Sequence, residues 1–108
     1  MSTATSGRAR EHRVSKAMID AGWSQVARSA ASKGVADLIM VHPDHGLALV
    51  QVGTHASKRL GPEDRAKFLR MAGLCSALPV VALVRHGVGI TYWQPTLGPF
   101  GEWSPWAP

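Results

Sequence analysis

The apolar positions of this chain change their period along its length. Between residues 7 and 22, Val14, Ala17, Met18 and Ala21 recur at i, i+3, i+4 and i+7, while Arg8, Arg10, Arg13 and Lys16 flank or oppose that stripe. The spacing predicts a helix with one buried face, ended by Gly22. Residues 23–29 read as a short edge strand, and residues 36–41 as a strand apolar on both faces and therefore central. His42-Pro43-Asp44-His45-Gly46 reads as a turn, residues 47–52 as a second buried strand, and residues 54–60 as a polar, basic loop. Gly61-Pro62-Glu63-Asp64 opens a second helix, since proline suits a first turn and acids complement the helix dipole. That helix is expected to run to about residue 75 with Phe68, Leu69 and Ala72 inward. Residues 80–84 and 90–93 are the last strands expected, joined through a His86-Gly87 turn. Residues 1–6 offer nothing to bury and are expected to be disordered, and the Pro- and Trp-rich residues 96–108 to form an irregular tail.

This order predicts an α/β domain over residues 7–95, with a mixed central sheet of about five strands flanked by helices. A five-residue turn between the two middle strands sets Val41 against Leu47, Ile39 against Leu49 and Asp37 against Gln51. Because side chains alternate, Asp37, Gln51 and Gly53 then share one face at one end of the hairpin, and Val50 and Val52 turn to the core on the other.

Length and composition narrow the function. At 108 residues and 45% hydrophobic, the chain is expected to form one modest core with little room for a second lobe, so an extended substrate must lie on the surface or between two copies. Twelve Lys+Arg against seven Asp+Glu give a net charge of +5, which favours a polyanionic partner such as nucleic acid or an anionic membrane face. The single cysteine, Cys75, excludes an internal disulfide and a Cys-cluster zinc site; within an apolar helical stretch it reads as a small core residue. The expected setting is a reducing cytoplasm, with no membrane span and no signal peptide.

The chemistry-bearing residues cluster around the middle strands. A basic, small-residue stretch, Arg28-Ser29-Ala30-Ala31-Ser32-Lys33, leads into Asp37-Leu38-Ile39, and the next strand carries Gln51-Val52-Gly53. An acid opening one strand, with an oxygen donor beside it on the next, is the layout of metal-dependent nucleases, because phosphodiester hydrolysis uses a hard cation held by carboxylate and carbonyl oxygens. Together with Glu11, Gly22-Trp23, Phe68, the run 79–84 and Tyr92-Trp93, these residues resemble the archaeal-type Holliday junction resolvases of the PD-(D/E)XK nuclease superfamily, over residues 7–95. The resemblance implies a restriction-endonuclease-like fold and a homodimer that grips a four-way DNA junction and nicks two strands with Mg²⁺ or Mn²⁺. Carried over by position, it implies Glu11, Asp37, Gln51 and the Val52 carbonyl as metal ligands, with Ser32 and position 53 assisting at the scissile phosphate.

Two positions depart from that pattern. Gln51 stands where such an enzyme has an acid and offers only a neutral carbonyl oxygen. Gly53 stands where it has a lysine and has no side chain to donate a proton; a missing general acid or base typically costs ~10²–10⁴ in rate. Lys58, Lys67 or His55 are the candidates to substitute. Arg8, Arg10, Arg13, Arg28, Lys33, Lys58, Arg59 and Lys67 are the expected contacts to a DNA backbone. His42, Asp44 and His45 lie at the far end of the hairpin and are not expected to form a metal cluster. Trp103 and Trp106 are expected to cover an apolar patch on this chain or a second copy. Three functions follow as expectations: a junction-cutting endonuclease, a branched-DNA-binding protein of the same fold without cleavage, or a protein-interaction domain using the Trp-rich tail.

Overall fold

In the computed structural model, which describes residues 3–28, 36–54, 62–85, 87–96 and 103–108, the elements follow in the order α1 (Thr3–Asp20), β1 (Ser24–Arg28), β2 (Leu38–His42), β3 (Gly46–Gly53), α2 (Pro62–Leu74), β4 (Ala77–Arg85), β5 (Gly89–Pro95) and β6 (Trp103–Trp106). The six strands form one sheet in sequence order. β3 and β4 are parallel and every other neighbouring pair is antiparallel. The single parallel pair is the one whose connection carries α2, as a crossover requires. The architecture is thus α/β with a mixed sheet and flanking helices, and the described residues form two helices and six strands where about five strands are expected.

α1 ends where the sequence indicates. The Gly22 amide bonds the Ile19 carbonyl and the Trp23 amide bonds the Met18 carbonyl, both at 3.0 Å. This reciprocal pair needs a left-handed residue at Gly22, whose φ is 102°. A Cβ there would also stand 3.1 Å from Nε2 of His42. The cap reverses the chain so that Met18 and Trp23 enter the same core as β1 begins.

The middle hairpin has Val41 opposite Leu47 and Ile39 opposite Leu49 as expected, but the ladder ends at Leu38 opposite Val50, so the expected Asp37–Gln51 pair is not part of it. Alternation from that register divides the core in two. Leu38, Met40, Ala48, Val50, Val52, Val80, Ala82 and Val84 face α1, where Val14 and Met18 meet them. Leu49, Val81 and Leu83 face α2, where Phe68 and Ala72 meet them.

Four expectations are corrected. α1 begins at Thr3, ahead of Gly7; no proline interrupts residues 3–7, and one internal glycine costs a helix only about 1 kcal/mol. β2 begins at Leu38 rather than residue 36, because Asp37 bends away from the ladder. Cys75 is exposed rather than part of the core, since α2 stops at Leu74 and Cys75 falls in the turn that follows. The tail is not irregular throughout, since residues 103–106 pair antiparallel with β5. Pro105 is tolerated because β6 is an edge strand and needs no outward amide. Trp103 and Trp106 stand three apart and so lie on opposite faces: Trp103 packs against the α2-side core and Trp106 against the α1-side core. Trp106 meets Trp23 edge-on with centroids 5.7 Å apart, and Tyr92 at 5.9 Å.

Two outcomes follow. Trp106→Ala removes the ring that joins β6 to Trp23 and Tyr92, and is expected to lower the unfolding free energy by about 2–4 kcal/mol in a urea titration. Burial raises the pKa of Tyr92 above its ordinary 10.0, so its neutral hydroxyl contributes stability that is present below pH 10 and lost as pH climbs through the raised value. Tyr92 is the sole tyrosine, so a phenolate absorbance titration reads it directly and is expected to show a midpoint above that of the unfolded chain. Tyr92→Phe is expected to flatten the alkaline loss of stability.

Candidate nucleic-acid and metal site

Asp37 lies just outside β2. Its amide bonds the Val50 carbonyl at 2.9 Å, and the regular ladder with β3 stops at the Leu38–Val50 pair. Beyond that point the Val52 amide needs an acceptor, and Oδ2 of Asp37 supplies it at 2.8 Å. The acid is 8% exposed and Gln51 beside it 9%. A buried carboxylate is costly unless hydrogen-bonded, and a charged acceptor roughly doubles the strength of such a bond. Asp37 therefore plays a structural part, ending the β2–β3 pairing without leaving an orphan amide.

Gln51 lies between Val50 and Val52, which both face α1, so alternation turns it toward the α2 face with Leu49 and Gly53. Gly53 closes β3, buried and opposite Leu83 of β4. Asp37, Gln51 and Gly53 thus lie at the same end of the hairpin, although Asp37 is not paired with Gln51 in the ladder.

Glu11, on α1, faces β1. Its carboxylate, 13% exposed, lies 3.9 Å from Nε of Arg28 on β1, whose side chain is 39% exposed. One turn further along α1, the buried Ser15 hydroxyl donates to Oε1 of Gln25 on the same strand at 2.6 Å. The helix thus turns a polar edge, Glu11 and Ser15, toward β1. Among the described residues no group of three or more His, Cys, Asp or Glu side chains is placed to hold a metal ion.

The remaining expected contacts are dispersed. Arg8 and Arg13 are exposed on α1 and Arg10 is half-buried there. Lys67 is exposed on α2 with its Nζ 4.0 Å from Glu63, a helical i,i+4 pair. Ser32, Lys33, His55, Lys58 and Arg59 lie outside the described residues. At the other end of the hairpin, Nδ1 of His42 accepts the Asp44 amide at 3.0 Å, and the His42 and His45 rings lie 4.5 Å apart beside Trp23. No helix is long and apolar enough to cross a membrane among the described residues.

The donors at the hairpin end are all oxygens, the right kind for Mg²⁺ or Mn²⁺, but they bring one negative charge. Asp37 already serves Val52 and Glu11 faces a guanidinium. The described residues do not fit a resident site held by several acids. No protein-family model matches this chain, and no curated protein does.

Sequence reasoning missed the Glu11–Arg28 and Ser15–Gln25 ties. The i,i+4 spacing of Glu11 and Ser15 was the available signal, though it names no partner.

The role of Asp37 can be measured. Asp37→Ala leaves the buried Val52 amide without its acceptor and is expected to cost about 1–3 kcal/mol of stability, while Asp37→Asn retains an oxygen and stays within about 1 kcal/mol of the parent. Chemical denaturation of both variants checks it; equal losses would refute the hydrogen-bonding role.

Proposed function

We propose that this protein binds branched DNA, four-way junctions in particular, as a homodimer on a resolvase-type nuclease fold in which hydrolysis is suppressed. The observation that supports this reading is the hairpin end itself: Asp37 and Gln51 lie together just past the last ladder pair, Leu38–Val50, yet Asp37 is bonded to Val52 and Gly53 brings no side chain. The net charge of +5 and the exposed arginines of α1 supply what a phosphate backbone needs. A junction presents two pairs of duplex arms, an arrangement that two symmetry-related copies match.

A second reading is favoured by the acid kept at position 37: a competent Mg²⁺- or Mn²⁺-dependent junction endonuclease, acting in the cytoplasm, in which Lys58, Lys67 or His55 serves in place of a lysine at 53.

One experiment separates the two. Junction binding is measured by mobility shift in EDTA over a range of salt, and junction cleavage is measured with Mn²⁺ for the parent and for Q51E/G53K. The expected results are salt-sensitive binding tighter for the junction than for a plain duplex, little cleavage by the parent, and a gain of about 10²-fold or more in the double variant. Rapid cleavage by the parent would establish the second reading. An absence of salt-sensitive binding would remove both and leave a protein-interaction role.

A further inference from the structure

β1 is an edge strand whose five residues are all exposed, and it is tied to α1 by polar groups. The tie depends on an irregularity. Gln25 pairs with Met40 and Arg28 with Leu38, and the register shifts between Gln25 and Ala27 so that Val26 has no partner of its own. In an unbroken strand, residues three apart point to opposite faces. The extra residue at Val26 cancels that alternation, so Gln25 and Arg28 both accompany partners that face α1, Met40 and Leu38. There Gln25 meets Ser15 and Arg28 meets Glu11, one helical turn apart. Val26 itself is left 58% exposed.

From this arrangement we infer that Glu11 is a positioning residue for Arg28, holding its guanidinium at the exit of β1 for contact with a phosphate of the bound DNA, rather than a metal ligand. The inference rests on the DNA-binding reading above. The acid lies mostly out of water while the arginine stays partly in it, which is the asymmetry expected of a holder and a presenter. Nε faces the acid, and a guanidinium carries four further N–H donors on its two terminal nitrogens, the fork that matches phosphate oxygens. Ser15 and Gln25 fix the strand that carries the arginine, so its stem has less freedom to lose on binding. Glu11 lies among Arg8, Arg10, Arg13 and Lys16 on the same helix, so a bystander acid there would only repel DNA.

That last point gives the test a sign. If Glu11 were a bystander, E11Q would remove a negative charge and tighten DNA binding. If it positions Arg28, E11Q weakens binding although the protein becomes more positive. The experiment uses the full chain, with E11Q, R28A, R28K and E11Q/R28A measured for four-way-junction affinity in EDTA over a salt series, and parent and E11Q measured for Mn²⁺ affinity by calorimetry without DNA. Expected are a several-fold loss in E11Q, a larger loss in R28A with a salt slope reduced by about one, an intermediate loss in R28K with the slope kept, and a double variant no weaker than R28A. Mn²⁺ affinity is expected to be the same in E11Q as in the parent.

Tighter binding in E11Q, additive losses in the double variant, or a Mn²⁺ affinity that falls in E11Q would each overturn the inference. Should the parent fail to bind the junction at all, the DNA reading falls separately. The pair is then read from a double-mutant cycle in urea denaturation, where coupling between positions 11 and 28 sustains the positioning role and additivity refutes it.

Discussion

A shift of β3 by one residue against β2 would carry Ala48, Val50 and Val52 off the α1 face and put Leu49 and Gln51 in their place, so the pairing of these two strands decides which side of the sheet is dry. The rest of the molecule is arranged around that pairing. β4 lies parallel to β3, with Val50 beside Val80 and Val52 beside Ala82, so it inherits the same division of faces. α1 and α2 then each find an apolar surface that already exists. The Asp37 carboxylate on the Val52 amide is the stop at one end of the hairpin, and the turn from His42 to Gly46, where Gly46 takes φ 77°, is the stop at the other.

The aromatic residues brace what the register sets up. Trp23 enters the core from the α1 cap and touches His42, His45 and Trp106, so one ring joins the helix end, the hairpin turn and the last strand. β6 is only four residues long and pairs on one side, and its ladder alone would be marginal. Its two tryptophans, one on each face, supply the burial that four backbone pairings cannot.

How much of this was legible in the sequence depended on whether the signal was local. The helix ending at Gly22, the buried strands, Pro62 at the start of α2 and the β2–β3 register all follow from spacing within a dozen residues, and each is found. Cys75 was misread because apolar neighbours do not show where a helix stops relative to the sheet. β6 was missed because Pro105 argues against a strand unless the strand is known to be an edge, which is a fact of topology. The bulge at Val26 leaves no mark in composition, yet it decides that Arg28 meets Glu11. At the site, the sequence puts Asp37, Gln51 and Gly53 at one end of the hairpin but does not name Arg28 as a neighbour of Glu11, since a helix acid can face any strand beneath it and side-chain type does not choose.

The competing claims on Asp37 bear on what this fold can do. A carboxylate that accepts a buried amide is held rigidly, and rigidity is useful for a ligand only if lone pairs and charge remain to be given. In a site with two or three acids, one such bond orients a ligand at little loss. With Gln51 neutral and Glu11 turned to Arg28, the same bond draws on the one negative charge at the hairpin end. The structural use of Asp37 persists without any cation, because the Val52 amide must be satisfied whenever β2 and β3 are paired. Folding alone therefore accounts for an acid at position 37, whereas a lysine at position 53 would answer no such need in the sheet.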